Sequence, residues 1–322
     1  MTKLILSTGN IVSGGPSIIR KSGAYRSNLE LTHSLRSSFL AAQQDYAADA
    51  YSASSSDSDN AASTNGSGSA NGNGFHYSAS AWTAHEGGVL YVPRIDWSLA
   101  GLQEEPAQYD ITAKLFFLAT APVSKRAQYA KEALDLVLKE LRVPSVDLLV
   151  ASFPGMSFDG DCEWEADKLN ATQGDDEEEA ATWPAVEELY RQGLVKRLGI
   201  AEFGSEKLAR FLKRVQLRPA VNQINIKNCC NVPPPLVKLA KEQGIDLLVH
   251  SDCTDILSRG TLRELLGQGP RGAGVLADSD SGGNGLQGDL APQWVVKYTA
   301  VVRDRGVIEN KGYFAGAGLA EV

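Results

Sequence analysis

The sequence has no long hydrophobic run. Nothing in it approaches the roughly 20 consecutive apolar residues that a bilayer-spanning helix needs, so no membrane association is expected. Its opening, MTKLILSTGN, turns polar too soon for a secretory signal peptide, which makes the cytosol the expected compartment. Cysteine is scarce: Cys162, Cys229, Cys230 and Cys253 are the four in 322 residues, without a Cys-x-x-Cys spacing or a histidine cluster beside them. That excludes a disulfide framework and gives no reason to expect a metal site. Basic charge is also in short supply, with 31 Lys and Arg against 39 Asp and Glu. Ten of those acids, against one base (Lys168), fall between Ser157 and Thr182, so the rest of the chain is close to neutral. A neutral body carries no electrostatic footprint for nucleic acid.

What is present has the proportions of a globular protein, with 43% hydrophobic and 22% charged residues. Residues 47–80 are mostly Ser, Ala, Asn and Gly and cannot bury enough apolar area to offset the entropy of ordering, so they read as a disordered insertion. The acidic stretch 157–182 repels itself and reads as a second insertion, and residues 269–289 read as a shorter flexible loop. Setting the first two aside leaves about the roughly 250 residues that one β/α barrel uses, within a single domain spanning 1–322.

The remainder alternates strand-like and helix-like segments, the pattern of an α/β fold with a parallel sheet. Strands are expected at 4–6, 89–95, 111–118, 146–150, 195–200, 221–226, 245–249 and 306–308. Helices are expected at 125–141, 183–192, 206–215, 233–243 and 292–305. The first of these helices places Ala130, Ala133, Leu134, Val137, Leu138 and Leu141 on one face. Eight strands with interleaved helices favour a closed (β/α)8 TIM barrel over an open doubly wound sheet.

Four segments carry a family resemblance: DITAKLFF (110–117), GLVKRLGIAEFGSEKLARF (193–211), RPAVNQINIKNCCNVPPPLVKLAKEQGIDLLVHSD (218–252) and WVVKYTAVVRDRGVIENKGYF (294–314). Together they resemble the aldo-keto reductase superfamily. The opening LILSTGNIV and the segment NQINIKNCCNVPPPL are similar to one branch of it, the modifier (regulatory, light) subunits of glutamate-cysteine ligase. The resemblance implies a barrel of aldo-keto reductase type and allows a part-by-part comparison with the reductase machinery of Asp, Tyr, Lys and His, in which the tyrosine hydroxyl protonates the carbonyl oxygen.

The lysine is present as Lys114. Alternation along its strand puts Thr112, Lys114 and Phe116 on one face, toward the barrel interior, where an ammonium demands a counter-charge. Asp96, in PRIDWS, is the expected partner. No tyrosine follows Asp96 in WSLAGLQEEP, and Tyr109, just before the next strand, would need an unusual path. Where the resemblance calls for a His-x-Pro word, the chain has Ser152, Phe153 and Pro154. Serine cannot replace imidazole as an acid near neutral pH.

Asn222 and Gln223 match positions that contact the nicotinamide amide in reductases, and Lys311 falls near a phosphate-contacting lysine. All three are suggestive of a vestigial cofactor site, and Asn222 and Gln223 read equally as cofactor contacts or as buried polar groups satisfying barrel backbone. The sequence contains neither a final Arg- and Asn-bearing helix for the adenosine phosphate nor a Gly-x-Gly-x-x-Gly word. No cofactor is therefore expected, with vestigial NADPH binding left open. Cys229 and Cys230 are adjacent and bridge each other poorly, so they read as packing or interface residues, an inter-subunit disulfide remaining open. His250 beside Asp252 reads as a hydrogen-bonded structural pair.

The expected function is that of a non-catalytic regulatory subunit. The resemblance implies a heterodimer with the glutamate-cysteine ligase catalytic (heavy) subunit, better glutamate binding by that partner and weaker glutathione feedback. The interface is placed at Cys229, Cys230, Lys311 and Tyr313. A working NADPH-dependent carbonyl reductase is the alternative.

Overall fold

A computed structural model of the chain describes residues 2–12, 27–55, 78–225, 231–277 and 285–320. Strand β1 (Thr2–Ser7) is followed by helix α1 (Ser27–Ser55), the single turn α2 (Ala79–Trp82) and the short hairpin β2 (Ala84–Glu86) and β3 (Val89–Val92). A β/α alternation then begins: β4 (Tyr109–Phe117), α3 (Val123–Leu141), β5 (Val146–Ser152), α4 (Glu163–Asn170), α5 (Asp176–Arg191), β6 (Val195–Ala201), α6 (Ser205–Leu212), β7 (Val221–Asn225), α7 (Pro234–Gln243), β8 (Asp246–His250) and α8 (Arg259–Leu266). Two long strands, β9 (Asp289–Val302) and β10 (Val307–Ala320), complete the order.

All ten strands share one sheet in the order β2-β3-β1-β10-β9-β4-β5-β6-β7-β8. From β4 to β8 every pairing is parallel, with α3, α5 and α6 packed on the outer face. This run curls strongly. Lys114 on β4 meets Asp252, just past β8, at 3.1 Å although three strands lie between them in the sheet. Only a barrel-like curvature brings those positions together, and the fold is an α/β barrel. Its outer core joins β4 through Ile111, Ala113, Leu115 and Phe117 to α3 through Ala130, Ala133, Leu134 and Val137.

The structure corrects the expected end of the chain. Residues 292–302 are strand and 303–305 are turn, not helix, and β9 pairs antiparallel with both β4 and β10. Trp294, Val296, Tyr298, Ala300 and Val302 alternate onto the outer core, a period of two that fits the β-branched content better than any helix. Pro292 suggested a helix start, but it sits where the β9–β10 register shifts, a bulge that tolerates a residue without an N–H. The strand expected at 306–308 is the close of a tight turn and the first residues of β10. The neighbouring strands lie close together at Gly316, where a Cβ would overlap the indole of Trp294.

The acidic stretch is also ordered. Residues 163–170 form α4, and α5 begins at Asp176, seven residues before its expected start. Asp175 caps α5 by accepting from the Glu177 and Glu178 amides, and the acids of the first turn complement the positive end of the helix dipole. Their repulsion is offset by bases from elsewhere in the chain. Lys207, almost fully buried, lies 2.8 Å from Asp176 and 2.9 Å from Glu179 and donates to the Gln173 carbonyl. Arg210 and Arg214 reach Asp176 and Glu177, and Arg126 reaches Glu178. Hydrogen bonding to Arg210 outweighs the opposing effect of burial and, with Lys207 adding to the pull, brings the Asp176 carboxyl down to about 2.

The Ser/Gly/Asn-rich segment is helical at both ends, since α1 continues to Ser55 and α2 starts at Ala79; residues 56–77 lie outside the described residues. Ala-rich sequence around 47–55 favours helix over coil. Of the expected loop 269–289, residues 278–284 also lie outside. Its first part is tied down by Val275 and Leu276, which are buried and donate to the Leu266 carbonyl.

Candidate functional site

The C-terminal ends of β4 to β8 surround a cavity of about 650 Å³, the barrel end at which loops rather than strands decide what can bind. Lys114 lies beneath it. As alternation predicts, its side chain points inward with Phe116, whose ring lies 5.3 Å from the ammonium, while Leu115 and Phe117 face the helices. Next to it across the antiparallel β4–β9 pairing is Lys297, and next to Lys297 on β10 is Tyr313. One row of the sheet therefore carries two ammonium groups and a phenol on the same side.

The counter-charge is Asp252, not Asp96. Asp252 accepts from Lys114 at 3.1 Å through Oδ2 and from Lys297 at 2.8 Å through Oδ1. Asp96 lies four residues beyond the end of β3, is exposed, and accepts from the Ser98 amide and hydroxyl at the start of a short 3-10 turn. Sequence order suggested the nearer acid, whereas barrel curvature delivers the one after β8. Burial would raise the Asp252 carboxyl, but the two lysines, with a lesser effect from His250, hold it well below the usual carboxylate range. Burial also lowers the Lys114 ammonium, opposed by Asp252 and Glu202 and reinforced by Lys297.

Two further side chains were not singled out by sequence reasoning as one unit. Glu202 follows β6 with a positive φ of 66°, and its carboxylate lies 2.6 Å from His250 Nε2. His250 ends β8 and accepts the Asp252 amide on Nδ1. An imidazole thus reaches the mouth from β8, while the end of β5 offers buried Ser152, paired in register with Phe116. Tyr109 is remote. It begins β4, five residues and roughly 16 Å of strand from Lys114, and its hydroxyl bonds Glu309.

The remaining expected site residues divide. Tyr313 is fully buried and donates to Glu30 at 2.6 Å, so it supplies no surface for a partner, contrary to its expected interface role. Burial first, then Glu30, push its phenol well above the ordinary range. Lys311, mostly covered, lies 2.7 Å from the same Glu30 carboxylate. The pair anchors α1 to β10 because both side chains project from the strand toward one acid on the helix. Asn222 is buried and clasps the Phe203 backbone, donating to its carbonyl at 2.7 Å and accepting from its amide. Gln223 faces the interior, its Oε1 buried without a hydrogen-bond partner. Cys229 and Cys230 lie outside the described residues.

The dinucleotide that the resemblance raises does not fit this donor set. Asp159, Glu202, Asp252 and Asp255 line the cavity, and no described lining residue is basic. Lys114 and Lys297 are both engaged by Asp252, Lys311 is held by Glu30, and Asn222 is turned onto the backbone. A pyrophosphate would meet carboxylates. Among the described residues no group of His, Cys, Asp and Glu is arranged to hold a metal ion, and no helix is long and apolar enough to cross a membrane.

The chain is 25% identical over 214 residues to the glutamate–cysteine ligase regulatory subunits of Mus musculus and Homo sapiens, covering 66% of this chain and 68% of each of those. The NADPH-dependent alpha-keto amide reductase of Saccharomyces cerevisiae is 31% identical over a shorter 132 residues, 41% of this chain and 37% of that one. Among solved structures, the Bombyx mori aldo-keto reductase in complex with NADP superposes with a TM-score of 0.32 at 23% identity, over 44% of this chain and 40% of that chain. The model of the aldo/keto reductase family matches residues 98–298, which takes in the alternation from before β4 to the middle of β9. With the curled parallel sheet and its inward lysine, that match settles the family: the chain belongs to the aldo/keto reductase family.

Proposed function

We propose that this chain is a non-catalytic regulatory subunit that binds the catalytic subunit of glutamate–cysteine ligase as a heterodimer in the cytosol and promotes γ-glutamylcysteine synthesis. The carrying observation is the similarity to named regulatory subunits over about two thirds of both chains. The site geometry supports it. Lys114 is locked in a buried ion pair, the nearest phenol in its row is committed to Glu30, and His250 is held between Glu202 and the Asp252 amide. No group in this cluster is presented to a carbonyl substrate as a proton donor, and the reading requires no dinucleotide.

Activation of a partner requires tighter binding to one of its conformations than to the other. A tenfold shift needs only about 1.4 kcal/mol of difference. Docking would use the edge strand β8 of the described sheet, which exposes Leu248 and Val249. Added chain should lower the partner's apparent KM for glutamate and raise its Ki for glutathione. Unchanged constants at saturating complex formation reject the proposal, and Val249→Asp tests the edge by loss of co-purification.

A further inference from the structure

The two edges of the described sheet are built differently. Strand β2 closes one side with Ala84, His85 and Glu86, of which the last two are exposed and polar. Short, polar edges discourage further strand pairing. Strand β8 closes the other side with Leu247, Leu248 and Val249 in a row, and neither lysine nor proline interrupts them. None of its five residues is buried, whereas six of the seven in β5, inside the parallel run, are. Leu248 is 43% exposed and Val249 60%.

The cause lies in the helix that follows. In a β/α alternation each helix returns over the outer face of the sheet. Helix α8 does not, because Leu262, Leu265 and Leu266 join the second core with Leu31 and Leu35 of α1 and Leu290 and Val295 of β9. Val249 pairs in register with Ile224, which belongs to the outer core, so Val249 points outward where α8 is not there to cover it.

The phase of the ladder decides what can pair here. The Asp246 amide donates to Ala220 O at 2.9 Å, so Asp246, Leu248 and His250 turn their main-chain groups toward β7. Those of Leu247 and Val249 turn to the edge. A second copy of β8 lying antiparallel fits this phase with a two-fold axis at Leu248. Leu247 of each copy then exchanges both main-chain bonds with Val249 of the other. Leu248 meets Leu248 as a non-hydrogen-bonded pair, the kind in which side chains lie closest. Asp246 falls opposite the second copy's His250, so an acid faces an imidazole and no like charges are opposed.

We propose that β8 is a self-association edge, at which two copies of the chain join antiparallel across an axis at Leu248. Such a contact is isologous, the same patch serving both copies. Five residues from each copy fall well short of the roughly 20–30 a side in a standard interface, so the dimer is weak, with a dissociation constant on the order of 10 μM. The docking reading above assigns the same edge to the catalytic subunit, which makes the two assemblies alternatives. Self-pairing goes beyond that reading and is measured without the partner.

Sedimentation equilibrium of the full chain over about 1–200 μM, bracketing that weak constant, should show the mean mass rising from one chain toward two. Leu248→Lys and Leu248→Glu each set like charges across the axis and should stay monomeric where the unaltered chain dimerises. Their equimolar mixture, which sets Lys against Glu, should dimerise again. Should either fail to fold, Val249→Pro replaces it: it deletes an edge-facing N–H, leaves the β7 ladder whole and should also be monomeric. An unaltered chain that is monomeric throughout, variants that dimerise like it, or a mixture no more associated than its components overturns the assignment. A monomeric chain whose Leu248→Lys variant no longer co-purifies with the catalytic subunit also overturns it, and gives the edge to that partner.

Discussion

Replacing Asp252 by Asn isolates what the buried ion pairs contribute. The carboxylate stands between two ammonium groups, at 3.1 Å from Lys114 and 2.8 Å from Lys297. At 3.1 Å and an effective dielectric near 20, one such attraction is worth about 5 kcal/mol before desolvation is subtracted. Removing one member of a buried pair typically costs about 3–5 kcal/mol, because the partner is left buried and uncompensated. Here two lysines adjacent in register are left facing each other, so a loss in the upper part of that range is expected at pH 7, read from urea unfolding. The pH dependence carries the diagnostic. Burial lowers the Lys114 ammonium below its unfolded value, so in the variant stability rises as pH climbs from the folded pKa toward the unfolded one near 10.4. Measured at pH 9.5, the deficit should shrink. Combining the change with Lys114→Met should restore part of the loss at pH 7, since Lys297 is partly exposed and can hydrate. A deficit below about 1 kcal/mol, or one that neither higher pH nor the second substitution reduces, would refute the reasoning.

Lys207→Met leaves Asp176 and Glu179 without their buried base and should cost about 3 kcal/mol in chemical denaturation. Burial already raises the Glu179 carboxyl above its unfolded value, so acidification toward pH 5 should diminish that cost as Glu179 takes up a proton. Gly316→Ala puts a methyl into the Trp294 indole and should destabilise by about 1–3 kcal/mol or more, seen as a lowered Tm with red-shifted tryptophan emission. NADPH added at micromolar concentration should show no change in fluorescence, because among the described residues the mouth is lined by four carboxylates and no base; saturable quenching would contradict that.

Much of the β/α run was legible because its signals are local. The strands at 111–118, 146–150 and 195–200 appear within a residue or two of their expected limits, and the inward face of Lys114 followed from alternation alone. What failed depends on distant chain. Asp252 was visible as an acid after a strand, yet only the curl of five parallel strands makes it the lysine's partner. The acidic stretch looked self-repelling because Lys207, Arg210 and Arg214, which neutralise it, come about 30 residues later in sequence. β9 was read as helix because Pro292 and the apolar run after it satisfy both templates, and the choice is made by β4 and β10 on either side. Tyr313 looked like a surface residue in a family-specific word. It is covered because α1 brings Glu30 across it.

The strand order also bears on how the chain is made. Among the described residues, the block β2-β3-β1 reaches the rest of the sheet only through β10, the last of the described strands to be synthesised. At about 5–20 residues per second, the first strand waits roughly 15–60 s on the ribosome before its antiparallel neighbour emerges. During that interval Leu4, Ile5 and Leu6, which end up buried, have no sheet partner but β3. Nascent molecules should therefore engage holding chaperones through their first strand, and a stall anywhere before residue 307 would leave that strand as the exposed adhesive end of an unfinished sheet.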